Sequence, residues 1–195
     1  MALISGSIIK STPVNLTNHA FFNLAGEGST ILNQVLTIPA NYFCSIGADK
    51  IPTGKLLNVQ STPFDFRKPK QIGKDLIQEK SDEQLKFAGG YDHHFVLSKK
   101  KNKVMKLAAI VVDSQSGRKM EVFTDEPCIH FFSANFFKGD DIGKMGKTIN
   151  FRESFALETQ SFPFAPNQKA FQSIILHPGE KYEAKTIYRF SVVND

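Results

Sequence analysis

Tryptophan is absent from this 195-residue sequence, and cysteine occurs only twice, as Cys44 and Cys128. The two cysteines lie far apart, without the spacing of a metal-binding motif, and nothing else in the sequence indicates an oxidising compartment. The apolar run within residues 1–10 is too short for a membrane span, and it lacks the basic segment of a secretion signal. These absences predict a cytoplasmic protein with reduced thiols and no membrane partner.

Acidic residues are slightly outnumbered by basic ones, which gives a formal net charge of +5. A basic balance can indicate an affinity for anions such as nucleic acids. Much of the excess lies between two apolar runs, in the lysines Lys99, Lys100, Lys101, Lys103 and Lys106. Because no aromatic or arginine residues alternate with these lysines, we interpret them as a solvated hairpin connection and expect no nucleic-acid partner.

Helical periodicity is scarce, and the only candidate for helical turns is Asp75–Phe87, which is polar and free of proline and glycine. Most of the chain consists of short strand-forming runs separated by turn signals, such as Ile51–Gly54 and Ser114–Gly117. The predicted strands include Ala2–Ile9, Ile31–Ile38, Tyr42–Ile46, Pro63–Phe66, Tyr91–Leu97, Val104–Asp113, Lys119–Thr124, Cys128–Asn135, Phe155–Thr159 and Tyr182–Val193. This spacing, without a repeat or linker, predicts an all-β antiparallel β-sandwich with a single domain over residues 1–195.

The stretch Thr12–Leu24 contains a histidine, His19, among three asparagines and two threonines within an otherwise apolar run. These polar side chains must be hydrogen-bonded if they are buried, so they are poor choices for a plain core strand. Their alternation with Val, Leu and Phe predicts a strand with one packed face and one functional face. The alternative is a buried structural histidine flanked by turn-forming asparagines.

Two further segments place titratable residues on predicted strands. Asp92 precedes two histidines at the start of a strand, but adjacent strand residues point to opposite faces, so His93 and His94 are poorly placed to bind one metal ion. Glu158 lies among apolar neighbours in Phe155–Gln160, where a carboxylate is costly unless it is paired or functional. A turn-capping Asp92 and a solvated Glu158 remain the alternatives.

Taken together, these segments resemble the aldose 1-epimerases, also called galactose mutarotases. Asn15–His19 followed by Phe22–Leu24 resembles the catalytic-histidine motif of that family, and Gly90–His93 resembles its Gly-aromatic-Asp-His motif. Leu157–Gln160 resembles the catalytic-base motif. The three motifs occur in the order that the family shows, and a tail at Leu176–Tyr182 also resembles the family sequence.

The resemblance implies the supersandwich fold of galactose mutarotase and the interconversion of the α and β anomers of galactose- or glucose-type aldoses. Glu158 would be the base that removes the proton of the C1 hydroxyl, and His19 the acid that protonates the ring oxygen across the same pocket. Asp92 would bind sugar hydroxyls, and His130 stands where the family has a sugar-binding glutamine. The resemblance implies no metal or other cofactor, and the expected partner is a small-molecule aldose.

The resemblance also implies that this chain corresponds to the C-terminal portion of a longer protein. The family's N-terminal part supplies an arginine and a second histidine to the sugar site, together with several strands. We therefore expect exposed sheet edges and self-association through them.

Alternatives remain open from the sequence alone. They are a truncated carbohydrate-binding or structural protein of the same fold and an epimerase of hexose 6-phosphates, which would need clustered arginines. A glycosidase could also use paired carboxylates, but the match of Glu158 with a histidine argues against it.

Overall fold

The computed structural model describes residues 1–193, and short antiparallel strands are its main regular elements. In chain order the strands are β1 (Ala2–Gly6), β2 (Thr12–Pro13), β3 (Phe21–Phe22), β4 (Val35–Thr37), β5 (Tyr42–Ile46), β6 (Pro52–Asn58), β7 (Lys70–Gln71), β8 (Asp92–Val96), β9 (Lys106–Val112), β10 (Arg118–Thr124), β11 (Cys128–Phe132), β12 (Asp141–Ile142), β13 (Thr148–Ile149), β14 (Phe155–Gln160), β15 (Ile175–Leu176) and β16 (Tyr182–Val192). One short α-helix, α1 (Glu83–Ala88), and 3₁₀ turns at Leu76–Gln78 and Ala165–Asn167 complete the described elements.

Twelve of the strands form two six-stranded sheets that pack against each other, which confirms the predicted antiparallel β-sandwich. The first sheet has the order β1-β16-β10-β9-β4-β7, and the second has the order β3-β14-β11-β8-β5-β6. Two further pairs, β12 with β13 and β15 with β2, lie outside these sheets. Because each large sheet is open, β1 and β7 are the edges of the first and β3 and β6 are the edges of the second.

Aromatic side chains fill much of the space between the two sheets. Phe43 stacks on Phe64 with ring centroids 4.1 Å apart, and Phe66 packs edge-on against Phe131 at 5.8 Å. Phe95 on β8 and Phe131 on β11 are fully buried in the same cluster. Since strand side chains alternate between faces, the neighbours of Phe95 and Phe131 in sequence project away from this core.

Several sequence predictions are confirmed. The strand Tyr42–Ile46 has the predicted bounds, and Ser114–Gly117 connects β9 to β10 in an antiparallel hairpin. The predicted helical turns within Asp75–Phe87 are present as Leu76–Gln78 and as the start of α1. Helix α1 begins where the Asp82 carboxylate accepts a hydrogen bond from the backbone N–H of Leu85 at 2.9 Å.

The prediction of a continuous strand over Thr12–Leu24 is wrong. Only β2 and β3 are extended, and an irregular loop connects them. The asparagines are the physical reason, because their side chains bind nearby backbone groups in place of a neighbouring strand. The Asn18 side chain accepts a hydrogen bond from the backbone of Ala20 at 3.2 Å, and Asn23 accepts one from Ala25 at 3.0 Å.

Two turn and strand assignments are also corrected. The turn predicted at Ile51–Gly54 is instead the start of β6, which begins at Pro52, where an edge strand tolerates the missing N–H. The segment predicted to be extended at Pro63–Phe66 is not a strand, because it continues a turn. In this turn Thr62 Oγ1 donates to the carbonyl of Val59 at 2.7 Å. The Thr62 hydroxyl then accepts a hydrogen bond from the backbone of Phe64 at 3.1 Å, which holds the chain in a bend.

The lysine-rich segment, residues 97–105, is not the predicted hairpin connection. It carries the chain from β8 in the second sheet to β9 in the first. Lys101 explains part of the difference, because its ammonium group contacts the fully buried carboxylate of Glu126.

Within residues 1–193, the structure contains no helix of the length and apolarity needed to cross a bilayer.

A buried polar cluster fixes the backbone immediately before β8. The Asn135 amide donates to the carbonyl of Tyr91 at 2.9 Å, and its oxygen accepts a hydrogen bond from Ser133 Oγ at 2.7 Å. The backbone N–H of Tyr91 donates to Ser133 Oγ at 3.0 Å. Gly90, with φ of +139°, lies so close to Asn135 Oδ1 that a Cβ at this position would collide with it. This cluster therefore sets where β8, and with it Asp92, begins.

We expect Gly90→Ala to lower the free energy of unfolding by about 3 kcal/mol or more, because backbone strain and the collision with Asn135 add. Gly26→Ala is the matched control, since Gly26 also has positive φ, +100°, but no other group lies within 4 Å of the point that a Cβ would occupy. Urea unfolding of both variants measures the difference. Equal losses of stability would show that the Asn135 contact does not restrain this segment.

Candidate active site

Polar side chains form a row on the face of the second sheet that points away from the core. The strand register places His130 on β11 opposite His94 on β8 and opposite Glu158 on β14. Asp92 and Gln160 lie two residues from His94 and Glu158 on the same strands, so the pleat directs them to the same face. Three of the four predicted site residues, Asp92, His130 and Glu158, are therefore brought together by the sheet itself.

The fourth predicted residue, His19, reaches the row from the irregular loop between β2 and β3. The Asn15 side chain ties this loop to the end of β14, because its amide donates to the carbonyl of Ser161 at 3.2 Å and its oxygen accepts from the Ser161 N–H at 2.9 Å. The His19 ring packs on Phe21 with ring centroids 4.9 Å apart. His19 Nε2 lies 3.2 Å from Glu158 Oε1, so the predicted acid and base are in direct contact.

Burial differs sharply within this pair. The Glu158 side chain is 9% exposed, whereas that of His19 is 49% exposed. Burial raises the pKa of Glu158, and the negative charge of Asp92 adds to that shift, while His130 and His19 act to lower the pKa. A carboxylate whose pKa is raised toward neutrality is suited to exchange protons with a ligand.

A chain of short contacts extends from Asp92 along the row. His130 Nε2 is 2.7 Å from Asp92 Oδ1, and His130 Nδ1 is 2.9 Å from His94 Nδ1. His94 Nε2 is in turn 2.5 Å from Gln160 Nε2. The sequence motifs do not predict His94 and Gln160 as site residues, although their two-residue spacing from Asp92 and from Glu158 is a signal that could have found them.

His93 confirms the prediction that adjacent strand residues point to opposite faces. It lies in the core, fully buried, with its ring packed against Phe64 at 4.6 Å and Phe43 at 5.5 Å. Burial lowers the pKa of His93 to about 3, so the ring is neutral at physiological pH. Its part is in the packing of β8 and not in the polar row.

The arginines do not form a phosphate-binding cluster at this face. Arg67 pairs with Asp65, and Arg189 pairs with Glu121. The other two arginines also bind elsewhere: Arg118 donates to the carbonyl of Leu24, and Arg152 donates to Glu79 and to the carbonyl of Gly89. The clustered arginines that an epimerase of hexose 6-phosphates would need are therefore not found among these contacts.

An apolar cavity of about 560 Å³ adjoins the loop that carries His19. Phe21 and Phe22 line one side, and the β12–β13 hairpin with Ile142 and Met145 lines the other. The Phe21 ring faces both this cavity and His19, since it also packs against Phe137 at 5.2 Å. The polar row is consequently bordered by an aromatic wall on the side of β3.

The chain matches the family model for aldose 1-epimerase over residues 3–189. It is 43% identical to galactose mutarotase from Bos taurus over 184 residues, which is 94% of this chain and 51% of that protein. It is 33% identical to aldose 1-epimerase from Escherichia coli strain K12 over 186 residues, which is 94% of this chain and 52% of that protein.

Solved structures give the same result. The GalM/aldose epimerase homologue from C. elegans superposes with a TM-score of 0.84 and 29% identity, covering 98% of this chain and 55% of that one. Galactose 1-epimerase from Lactobacillus acidophilus NCFM superposes with a TM-score of 0.77 and 26% identity, covering 98% of this chain and 53% of that one. The chain thus spans about half the length of the relatives it matches.

The family match covers most of the chain and includes β8, β11, β14 and the loop that carries His19. The solved relatives confirm the galactose mutarotase-like antiparallel sandwich. On this evidence, the chain belongs to the aldose 1-epimerase family.

Proposed function

We propose that this chain carries aldose 1-epimerase activity, the interconversion of the α and β anomers of an aldose by ring opening and closure. The observation that carries the proposal is the contact of His19 Nε2 with Glu158 Oε1 at 3.2 Å on one face of the second sheet. It joins a proton acceptor of raised pKa to a half-exposed imidazole, the two groups that this reaction requires.

In the proposed mechanism, ionised Glu158 removes the proton of the C1 hydroxyl while protonated His19 delivers a proton to the ring oxygen. The bond between C1 and the ring oxygen breaks, and the C1 hydroxyl becomes an aldehyde. Rotation about the C1–C2 bond exposes the other face of the aldehyde, and the reverse proton transfers close the ring. The sequence predicts the two residues on opposite sides of a pocket. Because the hydroxyl oxygen and the ring oxygen are both bonded to C1, the adjacent Glu158 and His19 side chains can also reach these two oxygens.

We propose Asp92 as the group that holds sugar hydroxyls beside this pair. Its carboxylate is 24% exposed, and one oxygen accepts a hydrogen bond from His130, so the other oxygen can accept one from the ligand. His130 would contribute to sugar binding from the next strand. The substrate class is a galactose- or glucose-type aldose, which the names of the galactose mutarotase relatives support.

We further propose that residues 1–195 fold as one domain, located in the cytoplasm, and that the chain self-associates through open sheet edges. One buried apolar cluster spans both sheets, which supports a single folding unit. Cys44 and Cys128 are buried free thiols, in keeping with a reducing compartment. The edge strand β1 carries no charged residue, and its Leu3 is 57% exposed.

Glu158→Gln should lower the rate of enzymatic mutarotation by about 100-fold or more, because an amide cannot accept the proton of the C1 hydroxyl. Polarimetry of freshly dissolved α-D-galactose and α-D-glucose measures this rate against the spontaneous reaction. Glu183→Gln, which removes the same charge from an exposed position paired with Lys181, is the control and should retain activity. Folded wild-type protein that does not accelerate mutarotation would favour a silent sugar-binding protein.

The acidic limb of the pH profile of kcat/KM should have its midpoint above 4.5, the usual pKa of glutamic acid, because burial and Asp92 raise the pKa of Glu158. Activity should be lost as the pH falls through this midpoint, since protonated Glu158 is not a base. Asp92→Asn should move the midpoint to lower pH, whereas Glu183→Gln should leave it in place. A midpoint at or below 4.5 in the wild type would contradict Glu158 as the buried base.

Self-association should increase with protein concentration in size-exclusion chromatography with light scattering, because β1 offers unpaired backbone groups at an apolar edge. Leu3→Lys should weaken it by placing a charge on that edge. Ile77→Lys is the matched control, because Ile77 is 89% exposed but lies on a 3₁₀ turn and not on a strand. A monomer at all concentrations would contradict the proposal.

A further inference from the structure

We propose that Gln160, His94 and His130 form a hydrogen-bond chain of fixed direction that ends on Asp92 and holds its carboxylate in place. In this arrangement His94, His130 and Gln160 are positioning residues for sugar binding, and His130 acts through Asp92 without contacting the sugar. The inference deepens the proposed function and rests on it for the role of Asp92. The direction of the hydrogen bonds rests on the geometry and protonation of these side chains and not on the proposed function.

The direction follows from the protons that each group can carry, starting at Asp92. An ionised carboxylate only accepts hydrogen bonds, so the 2.7 Å contact requires a proton on His130 Nε2. A neutral imidazole carries one proton, and therefore His130 Nδ1 is an acceptor. The 2.9 Å contact between the two Nδ1 atoms then requires His94 to be the donor.

The same argument continues to Gln160. With its proton on Nδ1, neutral His94 has an acceptor at Nε2. The group that faces this nitrogen, at 2.5 Å, is the amide nitrogen of Gln160, which is a donor. Each of the three contacts thus has one proton and one acceptor, and every hydrogen bond runs from Gln160 toward Asp92. A residue with only acceptor atoms in place of Gln160 could not begin the chain in this direction.

The surroundings favour the neutral form of the His94 ring. Burial, together with the neighbouring His130 and His93, holds the pKa of His94 well below its usual value. Glu158 on β14 is opposite His130 and in contact with His19, so it is already paired with an imidazole from the loop. The described residues 1–193 contain no group of three or more His, Cys, Asp or Glu side chains placed to hold a metal ion.

This arrangement assigns His130 a different part from the one expected by analogy with a sugar-binding glutamine. Both of its ring nitrogens are engaged within the protein, one by Asp92 and one by His94. The ring therefore has no free donor or acceptor for a sugar hydroxyl. Its effect on the sugar is indirect, because it restrains one oxygen of Asp92 and so orients the other.

Proton uptake would reverse the whole chain. A cationic His130 donates from both nitrogens, so His94 Nδ1 must become the acceptor and its proton must move to Nε2. His94 Nε2 and the amide nitrogen of Gln160 would then both be donors, so they could not hydrogen-bond. The Gln160 amide would have to rotate to present its oxygen to the ring. The Gln160 amide in its observed orientation consequently opposes protonation of the histidine pair.

The variant Gln160→Glu tests the direction, because a carboxylate accepts a hydrogen bond and favours the reversed, protonated chain. Two-bond ¹⁵N correlation spectra of the histidine rings, recorded without sugar, report which nitrogen carries the proton. We expect wild type at pH 7 to show a neutral Nε2–H form of His130 and a neutral Nδ1–H form of His94. In Gln160→Glu, we expect the His94–His130 pair to lose its extra proton at a pH about one unit higher than in wild type.

Gln115→Glu is the matched control, because it makes the same change of charge in the exposed β9–β10 hairpin and should leave both tautomers and the titration unchanged. Wild-type spectra with His130 cationic at pH 7, or with its proton on Nδ1, would overturn the proposal. So would a Gln160→Glu titration that coincides with that of Gln115→Glu. These readouts are independent of activity, so an inactive protein with the expected tautomers would contradict only the proposed function.

The role in sugar binding is tested separately with Gln160→Met, which removes the first donor at similar side-chain length. We expect an increase of about 10-fold in KM for galactose, with kcat changed by less than about 3-fold, because Asp92 is less well oriented while Glu158 and His19 are untouched. A matching loss in kcat with KM unchanged would show that Gln160 acts on the proton-transfer pair, and it would overturn the positioning role.

Discussion

The alternation of side chains along β8, β11 and β14 is the constraint on which the rest of the structure depends. On one face of these strands Phe95 and Phe131 enter the core, and on the other His94, His130 and Glu158 form a continuous polar row. A shift of one residue in register would exchange the two faces, placing rings in solvent and ionisable groups in the core. Packing of the core therefore determines the site as strictly as it determines the fold.

Such a polar row is costly to hold in a partly buried position, and neighbouring contacts offset the cost. Thr159, on the core side of β14, hydrogen-bonds to Thr186 on the first sheet, and the Tyr188 hydroxyl donates to the carbonyl of Leu157 at 3.1 Å. These hydrogen bonds hold β14, the strand that carries Glu158, from its core-facing side. The polar groups on the opposite face of the strand hydrogen-bond to one another, which supports a buried Glu158 carboxylate of raised pKa.

Local sequence patterns predicted what depends on local chemistry. Short β-rich runs bounded by turn residues predicted the sandwich, and Tyr42–Ile46 had the right bounds. The same patterns failed over Thr12–Leu24, where the apolar alternation suggested a strand but the asparagine side chains bind the backbone and the end of β14 instead. Whether an asparagine lines a strand or closes a loop depends on partners far away in sequence, which a local pattern does not contain.

The sequence by itself determined the class of fold and the family, and it named four candidate site residues, because these depend on residue type, period and motif. Only the tertiary structure decided that His19 contacts Glu158 at 3.2 Å, and that the nitrogens of His130 are taken up by Asp92 and His94. Those contacts join residues between 36 and 139 positions apart, brought together by strand pairing and by one loop. Pairing between strands that are distant in sequence is not contained in a local motif, so the motifs could name His19, Asp92 and Glu158 but could not connect them.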